Sequence, residues 1–326
     1  MAVTKASVRS FARMGQRAAF FAMAMPEIAR ENQNLKVLTA DLAQLSNLDR
    51  FARQYPDQFL NLGIAEQNMI GVASGLAMEG YCVFATTYAS FLAVRDLEQV
   101  RQHVSQLKLN VKLVGTAAGV VAARSGIAHW ATEDLAFMRA LPNMRVMCAA
   151  DALEAYYMAH YAATMDGPVY IRLNGVPDCP IVYDEHFAFQ PDAIQVLRHG
   201  TDIVLLATGL MVHEALDAAV ILQKQGISAT VADVHTIKPL DYGTLKQMFH
   251  EHRLVVTLEE HSVIGGLGGA VAEYKAGLEN TPRQLMIGIP DQFTEDTGSQ
   301  RYLWEKFGMT ASQIVERIQA SLMWKG

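Results

Sequence analysis

No two cysteines in this chain share a CxxC spacing; Cys82, Cys148 and Cys179 are its only three in 326 residues. That argues against both a disulfide framework and a structural zinc site, and it fits a reducing cytoplasm. No uncharged apolar run approaches the roughly 18 residues that a bilayer span needs, so no membrane partner is expected. Mean hydropathy is nevertheless +0.12, and the excess apolar surface is expected to face another subunit. Basic residues are not clustered. The 27 Lys and Arg stand singly or in pairs in a chain of net charge −6, which offers no surface to a phosphate backbone and argues against nucleic acid as a partner. Acidic residues are missing before Glu27, while Lys5, Arg9, Arg13 and Arg17 precede the apolar run AAFFAMAM. That pattern imitates a targeting peptide, but it continues into PEIARENQNLKVLTAD without a small-residue break, which argues against one. A cytoplasmic protein is expected.

With 51% hydrophobic and 18% charged residues, the composition suits a globular protein of about two domains. Short apolar, β-rich runs (KVLTAD, YCVFAT, VKLVGTA, MRVMCAA, PVYIRL) alternate with helix-like stretches such as DALEAYYMAHYAATM. This is the pattern of a mostly parallel sheet covered on both faces, an α/β fold. Residues 176–193 carry three prolines and no helical period, so they read as a linker. A second α/β unit follows, with strands at TDIVLLATG, SATVADV and RLVVTLEE and helices at EALDAAVILQKQG and SQIVERIQASL. The expected division is therefore 1–175, a linker at 176–193, and 194–326.

One carboxylate stands out. NLGIAEQNM, Asn61 to Met69, sets Glu66 in a run otherwise free of charge, where an ionised side chain is costly unless something accepts its charge or its proton. MIGVASGLAMEG follows, and its small residues Gly71 and Gly75 among Met69, Ile70, Val72, Leu76 and Met78 predict a buried helix packed closely on a neighbour. Glu66 would begin that helix, where the positive dipole end favours an anion; local capping is the plainer role for a carboxylate there.

Together with VLTADLAQLSN (Val37 to Asn47), TTYASFLAVRDLEQVR (Thr86 to Arg101), AHWATEDLAFMRALPNM (Ala128 to Met144), GPVYIRLNG (Gly167 to Gly175) and TLEEHSVIGGLGG (Thr257 to Gly269), NLGIAEQNM resembles the transketolase family of thiamine-diphosphate enzymes. The chain resembles the C-terminal half of a split transketolase. The resemblance implies two doubly wound domains, a pyrimidine-binding module followed by a transketolase C-terminal domain, with a mature helix at the N-terminus. It implies transfer of a two-carbon ketol unit from a ketose donor to an aldehyde acceptor. In such an enzyme the cofactor's own aminopyrimidine takes the thiazolium C2 proton once a carboxyl hydrogen-bonds ring nitrogen N1′, and Glu66 matches that carboxyl. Tyr88 and Phe91, three apart and so on one side if the segment is helical, match the rings held against the pyrimidine. Val94 stands where many transketolases have a third aromatic. Asp41 matches an acid near the thiazolium, although a strand-end Asp capping the next helix fits it equally. His129 matches the histidine that contacts the donor and assists proton transfer.

Several positions depart from the family pattern. Ala123, Arg124, Ser125 and Gly126 stand where GEDG is usual, placing Ser125 at the aspartate that reads a donor hydroxyl; Ala117 replaces a second histidine, and Gly175 stands where a phosphate-binding arginine is expected. Arg13 or Arg17, with Ser46, would fill the remaining phosphate-binding positions. The GDG signature for Mg²⁺ and diphosphate is missing, and the only DG pair is Asp166–Gly167. The ligands of Mg²⁺ are therefore expected on a partner, an N-terminal-half subunit carrying GDG, in an α2β2 heterotetramer with the site at the interface. TLEEHSVIGGLGG does not match GxGxxG and reads as a tight strand-to-helix turn, with Glu259, Glu260 and His261 only weak metal candidates. The rival readings are the β chain of a 2-oxoacid dehydrogenase, suggested by IKPLD at Ile237 to Asp241, and a non-catalytic regulatory homologue.

Overall fold

The computed structural model describes residues 3–323. Among them the first half builds strands β1 (Leu35–Thr39), β2 (Phe59–Asn61), β3 (Cys82–Tyr88), β4 (Val111–Thr116), β5 (Arg145–Cys148) and β6 (Val169–Arg172). The second half builds β7 (Gln195–Arg198), β8 (Ile203–Ala207), β9 (Ala229–Asp233), β10 (Thr236–Lys238), β11 (Leu254–Ser262) and β12 (Arg283–Ile289). They form a seven-stranded sheet in the order β10-β5-β6-β4-β3-β1-β2 and a five-stranded sheet in the order β12-β11-β8-β9-β7. Every pairing is parallel except β10 with β5 and β7 with β9. Every residue of β4, β6, β8 and β9 is buried, as a sheet covered by helices on both faces requires. The α/β architecture is thus the one expected.

β10 belongs by sequence to the second half, yet it pairs with β5 at the edge of the first sheet. Lys238, its last residue, donates its Nζ proton to the carbonyl of Arg139 at 2.9 Å. The two halves are stitched through the backbone as well as packed. β2 and β10 have three residues each, too few to show a period in sequence.

The apolar N-terminal run forms core. Helix Lys5–Met14 leads through Gln16–Ala18 into a π-helical turn, Ala19–Ala24, and helix Met25–Glu31. Phe20, Phe21 and Met25 are wholly buried there. No helix among the described residues is long and apolar enough to cross a membrane. The helix after NLGIA is Glu66–Met78, but its glycines correct the sequence reading. Met69, Ile70, Ala73 and Ser74 are buried, whereas Gly71 and Gly75 face outward, and a Cβ at either would meet nothing within 4 Å. The small-residue stripe is the uncovered side of this helix, because its larger residues already fill the side turned to the sheet.

Residues 176–193 contain no helix or strand, yet they are anchored. Asp151 caps helix Ala152–Thr164 by accepting from Glu154 N at 2.8 Å, and its other oxygen accepts from Val182 N and Tyr183 N at 2.9 Å each. Tyr183 donates its hydroxyl to Asp233 Oδ2 at 2.7 Å. Glu154 Oε1 and Asp233 Oδ1 have no other donor, and these carboxyls lie within hydrogen-bonding reach of each other, which needs one shared proton. Burial pushes Asp233 up to about 7, and burial with the nearby Asp233 raises Glu154 well above the ordinary range.

A carboxyl raised on folding gives stability that is complete below its unfolded pKa and lost as pH rises through the folded one. Between pH ~4 and ~7 the native chain should lose stability at up to about 1.4 kcal/mol per pH unit for this proton. Asp233→Asn keeps an acceptor for Tyr183 and needs no shared proton, so its urea-unfolding free energy should change less between pH 5 and 8. Equal slopes for both proteins would show that the pair is not proton-linked.

Candidate active site

Three parallel strands end at one place. β3 stops at Tyr88 and the chain turns at once into a π-helical turn, Phe91–Arg95. Tyr88 and Phe91 therefore do not share one helix as the sequence suggested, but the abrupt turn still brings their ring centroids to 5.6 Å. His129 completes the group from the loop beyond β4, 5.9 Å from Tyr88 and 5.6 Å from Phe91. Its Nδ1 is buried without a hydrogen-bond partner.

Glu66 is the first residue of its helix and only 5% exposed. Its Oε1 accepts from Arg95 Nη1 at 2.9 Å. The same guanidinium lies 4.1 Å from the centroid of the Phe91 ring, so Glu66 joins the aromatic group through Arg95. Neighbouring Asp96 is fully buried, and neither carboxylate oxygen has a partner. Burial, reinforced by Glu66, pushes it up to about 7, so it is largely protonated below neutrality. Arg95 and Asp96 were not singled out in the sequence, where nothing local marks them. The strand-to-π-turn geometry buries Asp96 and lays the half-exposed Arg95 over Phe91. A cleft of about 380 Å³ opens here, lined by Ser90, Phe91, Val94, Arg95, Trp130 and Glu133. Val94 is 54% exposed at its edge, the side where an aromatic ring would otherwise close it.

The other expected residues lie at varying distances from this centre. Asp41 is in left-handed backbone (φ 58°) just past β1. It does not cap the next helix, whose N-cap is Leu48. Instead Asn61, at the end of β2, accepts from its backbone N–H at 3.0 Å and donates to its Oδ1 at 3.2 Å, tying it to the loop that leads to Glu66. Ser46 is buried in the following turn, with its Oγ unpartnered. Arg17 is half-buried with no hydrogen-bond or ion-pair partner among the described residues. Burial lowers its pKa while nearby Tyr88 opposes that shift, which puts Arg17 on the Tyr88 side. Arg13 is exposed. Ser125 is exposed on the turn Ala123–Ser125, four residues before His129.

The His129 loop is held from the second sheet. Gly119 and Ala131 exchange backbone hydrogen bonds of 3.0 and 2.9 Å across its base, and Val120 N donates to Glu260 Oε1 on β11 at 3.1 Å. Gly119 has φ +66°, and a Cβ there would lie 2.5 Å from Glu260 Cδ, so glycine is required. Glu260 also accepts from Asn174 at 2.6 Å and Gln300 at 2.8 Å. Glu259 accepts from Leu267 N and Gly268 N at the start of helix Leu267–Ala276, the expected strand-to-helix turn. His261 takes the Ala136 N–H on Nε2 and holds Ser262 O with Nδ1, and burial lowers its pKa to about 4. All three side chains are thus committed, and no group of His, Cys, Asp and Glu able to hold a metal occurs among the described residues.

Two family models match this chain: the transketolase pyrimidine-binding domain over residues 16–175 and the transketolase C-terminal domain over residues 192–314. The chain belongs to the transketolase family. A 6-deoxy-6-sulfo-D-fructose transketolase subunit of Clostridium sp. is 41% identical over 290 residues, covering 89% of each chain. One of the apulose-4-phosphate transketolase subunits of Phocaeicola vulgatus is 34% identical over 82% of this chain and 85% of its own. A solved split-gene transketolase, described as an inactive β4 tetramer, superposes with a TM-score of 0.85 at 40% identity, covering 96% of this chain and 99% of that one. A Campylobacter jejuni transketolase shares the fold at TM-score 0.78 and 18% identity, and this chain covers 46% of its length.

Position 175 leaves no room for a side chain. Gln16 occupies the space: its Oε1 accepts from Gly175 N at 2.7 Å and its Nε2 donates to Ala149 O at 2.7 Å. A Cβ on Gly175 would lie 2.6 Å from Gln16 Cγ and Cδ. Gly175→Ala should therefore destabilise the chain by about 1–3 kcal/mol, and adding Gln16→Ala should relieve the clash itself. Chemical denaturation of the two variants tests this; a neutral single substitution would mean that Gln16 is free to move.

Proposed function

We propose that this chain is the pyrimidine-binding half of a split, thiamine-diphosphate-dependent transketolase, working with an N-terminal-half subunit that supplies GDG, Mg²⁺ and the diphosphate site in an α2β2 heterotetramer. The observation that carries the reading is the clustering of Tyr88, Phe91 and His129, with the buried carboxyl of Glu66 joined to Phe91 through Arg95, beside a cleft that Phe91 and Arg95 line. The residues fit the aminopyrimidine end of the cofactor, with flat apolar faces for its ring and a buried carboxyl for N1′.

When bound, thiamine diphosphate supplies the carbon nucleophile that adds to the ketose carbonyl and carries the two-carbon unit to the aldehyde. The chain's own side chains do the rest. Glu66, buried at the start of its helix, would hold the N1′ edge of the ring through a hydrogen bond. Tyr88 and Phe91 would hold the ring by stacking, and Asp41, past the end of β1, would be the acid nearest the thiazolium. His129 offers the unpartnered Nδ1 to the donor's hydroxyl and carbonyl end. Ser125 would contact a donor hydroxyl, and Arg17 with Ser46 would read an anionic terminus in place of the guanidinium excluded at position 175. The relatives' names include a sulfonated and a phosphorylated sugar, which suits an anion anchor of this kind.

Glu66→Gln preserves shape but cannot exchange the proton. Hydrogen–deuterium exchange at cofactor C2 in the reconstituted complex should slow by roughly 10²–10⁴-fold, and an unchanged rate would remove Glu66 from the mechanism. Arg17→Met should lower kcat/KM for a ketose phosphate by about 10- to 150-fold while leaving an unphosphorylated ketose nearly untouched. Equal losses for both donors would assign Arg17 to structure rather than to recognition.

A further inference from the structure

Arg95 makes two contacts that an aminopyrimidine would need. Its guanidinium lies on the Phe91 ring, 4.1 Å from the centroid, and donates from Nη1 to Glu66 Oε1 at 2.9 Å. Guanidinium and aminopyrimidine are alike in the respects that matter: both are flat, delocalised and edged with N–H donors. The Phe91 face and the Glu66 carboxyl oxygen cannot serve both at once. The Arg95 side chain is 48% exposed while that of Glu66 is 6% exposed, so the arginine reaches in from the solvent side and has room to leave. Its backbone is pinned, since Gln67 Nε2 donates to Arg95 O at 2.9 Å; departure is a side-chain rotation, with Glu133 lining the same cleft.

We propose that Arg95 fills the seat of the cofactor's aminopyrimidine in the cofactor-free chain, so that the chain carries its own competitor and cofactor affinity is set by how readily this side chain swings out. The inference rests on the thiamine-diphosphate reading above. It also accounts for a buried glutamate beside an uncompensated Asp96: without cofactor, Arg95 supplies the positive charge that Glu66 lacks from any other neighbour among the described residues. On binding, the pyrimidine replaces that contact, and the guanidinium moves into the cleft.

The test uses the full chain reconstituted with its diphosphate-binding subunit, and calorimetric titration with thiamine diphosphate in excess Mg²⁺. Arg95→Gln and Arg95→Ala should tighten the cofactor Kd by roughly 3- to 10-fold, because a competing contact has gone. In Arg95→Ala, millimolar methylguanidinium should refill the seat and weaken cofactor binding again, with no such effect on the wild type. Thermal melts of the variants without cofactor check the fold, which the half-exposed position should spare. Wild-type binding with equal or weaker binding by both variants overturns the role of Arg95 and leaves the thiamine-diphosphate reading standing. No cofactor binding by wild type or variants overturns that reading and this inference with it.

Discussion

The buried ion pair between Arg172 and Asp134 is the contact on which the site's geometry hangs. Asp134 Oδ2 accepts from Arg172 Nε at 2.8 Å and from the Tyr170 hydroxyl at 2.7 Å. Arg172 Nη2 then reaches the carbonyls of Ala131 at 3.0 Å and Glu260 at 2.8 Å. One guanidinium thereby joins the end of β6, the base of the His129 loop, the start of helix Asp134–Ala140 and β11 of the second sheet. Charges taken this far from water are tolerable only when paired, and removing one partner of such a pair typically costs about 3–5 kcal/mol. The fan-shaped donor set of arginine is what allows several acceptor directions to be served from one residue.

The consequence is that the aromatic group and the boundary between the sheets are not separable. His129 stands where it does because Gly119, Val120 and Ala131 are held by Glu260 and Arg172, both committed to the boundary between the sheets. The C-terminal half contributes no ring to the aromatic group, but it sets the loop that does. β10, crossing to pair with β5, adds a backbone tie to the same boundary. Gln16 from the N-terminal helices likewise bridges Gly175 and Ala149 and fills the space a side chain at 175 would need.

Much of this was legible in the chain itself. Buried parallel strands show as continuous apolar runs because both of their faces are covered, so β1, β3, β4, β5, β6, β8, β9 and β11 could be read directly. Glu66 at a helix start was legible because a single charge in an apolar run needs a reason. The three-residue strands β2 and β10 were not, since no period exists over three residues. The outward turn of Gly71 and Gly75 was hidden as well, because composition marks a smooth helix face without saying whether anything lies against it.

The sequence by itself determined the α/β architecture, the family and the identity of the residues around Glu66, because periodicity and residue type depend on local chemistry that travels with the chain. Only the tertiary structure decided which of those residues meet. Tyr88 and Phe91 converge through a strand that breaks into a π-helical turn rather than along a helix. Arg95 folds over Phe91 onto Glu66, 29 positions away in sequence, and Glu260 secures a loop 140 positions away. Contacts at such separations depend on how sheets twist and loops close, and no local pattern of residues encodes that.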